Sequence, residues 1–115
     1  MRSLILMRHA KSTWCGDLSD FDRPLNARGT RSASALGNWL RTNNLLPDFA
    51  IVSAAKRTVE TFDELKINCP LEKKKKLYLA PSEEIFHQVR QVKANTLLVL
   101  CHNPGISEFS QGILS

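Results

Sequence analysis

Residues 96–101 read Thr-Leu-Leu-Val-Leu-Cys, and 97–101 is the longest uninterrupted apolar stretch in the chain. A run this short cannot span a membrane. Because no polar residue alternates within it, it fits a strand covered on both faces, as in the middle of a parallel sheet. That reading constrains everything else. Other strands must flank this one, and helices must cover the sheet from both sides.

The sequence supplies both in alternation. Residues 3–7 (SLILM) read as a buried strand. A polar connection over 8–26 follows, long enough to suggest a functional or mobile loop. Asn26 is placed to cap a helix whose apolar face is Ala33, Leu36, Gly37 and Leu40; Asn43, Asn44 and Pro47 end it. Residues 49–53 (FAIVS) read as a second strand. Ala55, Val59, Phe62 and Leu65 mark a second helix, 66–76 is polar and turn-rich, and 77–79 reads as a short third strand. Ser82 is expected to cap a third helix with Ile85, Val89 and Val92 on its face, and Glu83 and Glu84 favourable at its N-terminal dipole. After the strand at 96–101, a turn at 102–105 leads into a fourth helix carrying Ile106, Phe109 and Ile113.

This pattern predicts an α/β fold: three layers, α/β/α, around a mostly parallel sheet. With 115 residues the chain holds one domain, 1–115. Its 43% hydrophobic and 23% charged residues are ordinary globular usage and exclude wholesale disorder. Cys15, Cys69 and Cys101 are odd in number and widely spaced, which favours a reducing compartment over a disulfide framework. The apolar run at 4–7 is too short for the core of a signal peptide, so a cytoplasmic location is expected. Sixteen Lys and Arg against eleven Asp and Glu give +5, a balance that favours anionic partners.

Ligand sites in such folds lie at the carboxyl ends of the strands. Arg8 and His9 follow the first predicted strand, Ser53 and Arg57 the second, and His102 the fourth. Arg23 lies in the long first loop. Guanidinium groups match phosphate oxygens in forked geometry. A neutral imidazole beside them keeps a lone pair with which to attack phosphorus.

Four strings carry a resemblance. They are Leu6-Met7-Arg8-His9-Ala10-Lys11-Ser12, Asp22-Arg23-Pro24-Leu25-Asn26 with Arg28-Gly29, the segment 53–61 (SAAKRTVET), and 102–108 (HNPGISE). In this order, each near a predicted strand end, they resemble the histidine phosphatase superfamily in its SixA-like, phosphohistidine phosphatase branch. The resemblance implies a phosphoglycerate mutase-like fold and a phosphatase. His9 would become phosphorylated, Arg8, Arg57 and His102 would hold the phosphoryl oxygens, and Arg23 would complete the pocket. No metal or organic cofactor would be needed. The implied partners are a phosphohistidine-bearing protein or a small phosphorylated substrate, with inorganic phosphate as product, and neither nucleic acid nor membrane. By resemblance another strand and helix would follow, so the chain is expected to lack the last strand and helix of the family.

Phosphomonoesterase relatives carry a carboxylate general acid after the third strand. No clean counterpart stands out here, although Glu83, Glu84, Asp17, Asp20 and Asp22 are available. An alkoxide leaves only with a donated proton, whereas imidazole, with an ordinary pKa of about 6.5, leaves without a strong donor. The missing acid therefore tilts the expected substrate toward a phosphoramidate. The alternatives are a broader phosphatase on small phosphomonoesters or phosphoramidates, and a non-catalytic phosphate-binding module. Ser53 reads as a turn or cap residue, His87 as exposed and inert, and Cys101 as buried in a strand. Trp14 and Cys15 fall in the loop that would form the pocket mouth. The lysines at 73–76 read as a solvated basic loop, since no aromatic residue interleaves with them.

Overall fold

The structure is a computed structural model that describes residues 3–14 and 16–114, with side chains through Gly112. Four strands alternate with four helices: β1 (Ser3–Arg8), α1 (Ala27–Thr42), β2 (Phe49–Ser53), α2 (Lys56–Leu65), β3 (Leu71–Lys74), α3 (Ser82–Arg90), β4 (Thr96–Cys101) and α4 (Gly105–Leu114). The strands form one sheet in the order β1-β4-β2-β3, and every pairing is parallel. β4 is interior, between β1 and β2, as its unbroken apolar run requires.

Its side chains divide between two cores. Leu97, Val99 and Cys101 join Ile51, Ile85, Val89 and Phe109 on the α3/α4 side. Leu98 and Leu100 join Met7, Ala50, Val52, Leu40, Phe62 and Leu65 on the α1/α2 side. The three-layer arrangement follows from this alternation. α1 approaches α2 closely because Gly37 carries no side chain: a Cβ there would lie 2.2 Å from the Leu65 carbonyl oxygen.

Two local expectations are corrected. The third strand is not at 77–79 but at Leu71–Lys74, where Ala50 to Ser53 pair with it. Its Leu-Glu-Lys-Lys sequence carries almost no apolar signal because it is an edge strand, and charged residues suit a sheet edge. Leu77 lies instead in a 3₁₀ turn (Lys75–Leu77), fully buried in the α3/α4 core. Ser82 does not cap α3. It is the first helical residue, and the cap position belongs to Pro81, whose carbonyl accepts from Glu84 and Ile85 N–H groups. Val92 packs against the core from beyond the end of α3, and the side chain of Ile113 lies outside the described residues.

The long first connection is fastened rather than loose. Asn26 caps α1 by accepting from Gly29 N–H at 2.8 Å, and its amide donates to the Ser12 carbonyl at 3.3 Å. Ser12 and Leu25 form an antiparallel bridge. Leu25 N–H donates to Glu60 of α2 at 2.8 Å. Gly29 lets the loop pass close over α1, since a Cβ there would meet the Lys11 carbonyl oxygen at 2.0 Å. These ties fix the chain on either side of Arg23.

Candidate active site

A cavity of about 650 Å³ opens at the carboxyl end of the sheet, and Arg8, His9, Arg23, Arg57 and His102 all line it. The sheet register explains the convergence. Arg8, the last residue of β1, pairs with Cys101, the last of β4, so His9 and His102 leave adjacent parallel strands at the same level. Their ring centroids are 5.2 Å apart. Arg57 enters from the first turn of α2, which starts just past the end of β2.

His9 is held in one tautomer. Its Nδ1 lies 2.8 Å from the Ala10 carbonyl oxygen, a group that can only accept. The proton therefore sits on Nδ1, and Nε2 carries a lone pair toward the cavity. Arg57 donates its Nε–H to that Nε2 at 3.3 Å. The Ala10 peptide is itself anchored, because its N–H donates at 3.0 Å to Thr61 Oγ1, which donates to the Arg57 carbonyl at 2.7 Å. Burial lowers the His9 pKa below its ordinary 6.5, and the charges of Arg57, Arg8 and Arg23 add to this against the raising effect of the Ala10 bond.

His102 is more deeply set, with 2% of its surface exposed. Its Nε2 meets Ser53 Oγ at 2.8 Å. Its Nδ1 lies 3.5 Å from Arg57 Nη2, which can only donate. Together these place the ring proton on Nε2, donating to Ser53. Burial pushes the His102 pKa down to about 3, with Arg57 and His9 as further causes.

Arg57 and Arg23 are both buried, and Arg8 is exposed at the rim. Asp20 joins the first two. Its Oδ1 accepts from Arg23 Nε and Nη2 at 3.1 and 3.0 Å, and its Oδ2 accepts from Arg57 Nη2 at 3.0 Å. Tyr78 Oη–H also donates to Oδ2. That bond, followed by the Arg57 and Arg23 charges, holds the Asp20 carboxyl at about 2 despite partial desolvation. Trp14 lines the cavity mouth with 74% of its surface exposed, and its ring lies 3.7 Å from the Arg23 guanidinium carbon. Cys15 lies outside the described residues.

Sequence reasoning missed Tyr78, which it placed inside the misplaced third strand and which stacks edge-on to His102 at 5.5 Å. It saw Ser53 only as a turn or cap residue. Asp20 stood in the sequence only among the available loop carboxylates, and nothing there tied it to Arg57. Glu83 and Glu84 lie in the first turn of α3 and do not line the cavity. His87 is exposed and hydrogen-bonded to Gln91. Cys101 is fully buried, and desolvation pushes its thiol up to about 11. Lys74 pairs with Glu72 at 2.9 Å, while Lys73, Lys75 and Lys76 are exposed. Among the described residues no three His, Cys, Asp or Glu side chains cluster as metal ligands would, and no helix is long and apolar enough to cross a membrane.

The family model for the histidine phosphatase superfamily (branch 1) matches residues 4–78, which include Arg8, His9, Arg23 and Arg57. The chain belongs to that superfamily. Within this histidine phosphatase family it is SixA-like. It is 36% identical to a protein of Nakamurella multipartita provisionally named phosphohistidine phosphatase SixA, with a TM-score of 0.89 over 94% of this chain and 63% of that one. It is also 38% identical over 103 residues to an uncharacterized protein of Mycobacterium tuberculosis, covering 88% of this chain. An uncharacterized Mycobacterium leprae protein is 35% identical over 107 residues. The histidine phosphatase chain described here thus spans about 65% of the length of these curated relatives.

Proposed function

We propose that residues 1–115 act as a histidine phosphatase domain that removes phosphate from phosphohistidine in a protein, through a phosphoryl group carried on His9. The observation that carries this reading is the state of His9: Nδ1 is tied to the Ala10 carbonyl, and Nε2 faces the cavity with its lone pair beside Arg57. In the first step Nε2 attacks phosphorus. The bond from phosphorus to the substrate nitrogen breaks, and its electron pair leaves with the substrate ring, which departs as neutral imidazole because its other ring nitrogen carries a proton. Arg8, Arg23 and Arg57 stabilise charge on the phosphoryl oxygens. His102, expected from the sequence to join them, has its one ring proton on Ser53 and would reach an oxygen only by turning that proton away from the hydroxyl. Arg57 Nε–H, released from His9 as the new bond forms, becomes available to one of those oxygens. In the second step water attacks phosphorus, the P–Nε2 bond breaks with its electron pair returning to Nε2, and inorganic phosphate departs carrying both protons of the water while His9 keeps the proton on Nδ1.

The preference for phosphohistidine rests on the acid. Asp20 is the one carboxylate among the described residues lining the cavity. Three partners engage it, and they hold it ionised at about 2. A carboxylate so held has no proton to give an alkoxide at neutral pH. The ring of phosphohistidine, protonated at its far nitrogen, leaves as neutral imidazole without one.

Rates on a phosphohistidine peptide and on an alkyl phosphate test the reading. The peptide is expected to turn over much faster. Comparable rates would favour a general phosphomonoesterase, and tungstate binding without turnover of either would leave a phosphate-binding module.

A further inference from the structure

Arg57 spends most of its donors before any oxyanion arrives. Its Nε–H goes to His9, its Nη1 to the backbone oxygen of Asp20, and its Nη2 to Asp20 Oδ2. Arg23 turns its Nε/Nη2 edge onto Asp20 Oδ1 and one face onto Trp14. These restraints leave the Nη1 groups of Arg23 without a protein partner among the described residues. The two arginines come from different parts of the fold, one from the first loop and one from α2, and 34 positions apart their side chains share a single carboxylate. Tyr78, from a third segment, donates to that same carboxylate. Tyr78 is braced in turn by Phe21, edge-on at 5.0 Å, and by His102.

We propose that Asp20 is a positioning residue: one carboxylate, steadied by Tyr78, that couples Arg23 to Arg57 and fixes both guanidinium groups for an incoming oxyanion. The inference rests on the reading of the cavity as a phosphoryl site. It also makes a choice between two opposed physical effects. A negative charge 3.0 Å from two phosphate-binding cations weakens their pull on an anion. The same charge holds two flexible side chains in one geometry, so less ordering remains to be done on binding. A guanidinium is a rigid fork only once its stem is fixed. We infer that positioning outweighs the lost attraction.

The two effects give opposite signs in one experiment. Tungstate, a tetrahedral oxyanion, is titrated calorimetrically into the chain, into Asp20→Asn and into Tyr78→Phe. Asparagine keeps the shape of aspartate but removes its charge. Positioning requires Asp20→Asn to bind tungstate about tenfold more weakly even though the site has gained positive charge. Tyr78→Phe, which leaves every charge in place, must weaken binding in the same direction by a smaller factor. Unchanged or tighter binding by Asp20→Asn, or unchanged binding by Tyr78→Phe, overturns the proposal while the oxyanion site stands. If the unsubstituted chain fails to bind tungstate, the phosphoryl-site reading falls and the proposal falls with it. The Nε–H resonances of Arg23 and Arg57 in the ligand-free chain supply an independent readout. Slow solvent exchange that becomes fast in Asp20→Asn supports the clamp, and equal exchange in both proteins contradicts it.

Discussion

Arg57 Nε lies 3.3 Å from His9 Nε2, so a guanidinium of the proposed phosphoryl site also holds the lone pair that would attack phosphorus. A guanidinium cannot accept, so the contact requires an unprotonated Nε2. Burial and three arginines favour that same state. The first expectation follows for pH. The His9 pKa in the ligand-free chain, read from its ring resonances, lies below 6.5. Activity that needs neutral His9 is then retained at pH 6.5 and lost as pH falls through the lowered value. A His9 pKa at or above 6.5 would contradict the assigned state.

His102 links the site to stability. Its folded pKa, about 3, lies below the ordinary 6.5 of an unfolded chain. Between those values the unfolded state binds more protons, so stability rises with pH. The contribution is fully present above pH 6.5 and is lost progressively from 6.5 toward 3. Urea unfolding at pH 7 and pH 5 is expected to show a drop that becomes smaller in His102→Gln. An equal drop in both proteins would contradict the assignment.

Ser53 takes the Nε2–H of this buried ring. Ser53→Ala leaves that donor without a partner, at a cost of about 1–3 kcal/mol. Chemical denaturation measures the loss, and a change below about 0.5 kcal/mol would mean that water replaces the hydroxyl.

Gly37 tests the packing that brings α2, and with it Arg57, against α1. Alanine there meets the Leu65 carbonyl oxygen at 2.2 Å, and backbone cannot yield as a side-chain tip does. Gly37→Ala is expected to destabilise the fold by about 1–3 kcal/mol. A neutral or stabilising effect, from the gain in helix propensity, would show that the helices separate freely.

Much of this was legible in the sequence because burial and periodicity agree. The β4 run is apolar since both of its faces are covered, and residues 49–52 are apolar for the same reason. α1 was marked by its Asn26 cap and the spacing of Ala33, Gly37 and Leu40. β3 was not legible, because an edge strand of Leu-Glu-Lys-Lys looks like a loop until its partner is known. At the site, strand ends pointed to Arg8, His9, Arg57 and His102. Ser53, Asp20 and Tyr78 were harder because their roles depend on contacts between distant segments. The Tyr78–Asp20 bond spans 58 positions, and no local pattern encodes it.

The central claim is that His9 carries the phosphoryl group, and phosphate release from a phosphohistidine-bearing protein tests it most directly. The 115-residue chain is compared with its His9→Ala variant under identical conditions. The account expects release by the chain and none above background by the variant, with Arg57→Ala severely reduced. Release by His9→Ala at a rate near that of the unsubstituted chain would contradict it.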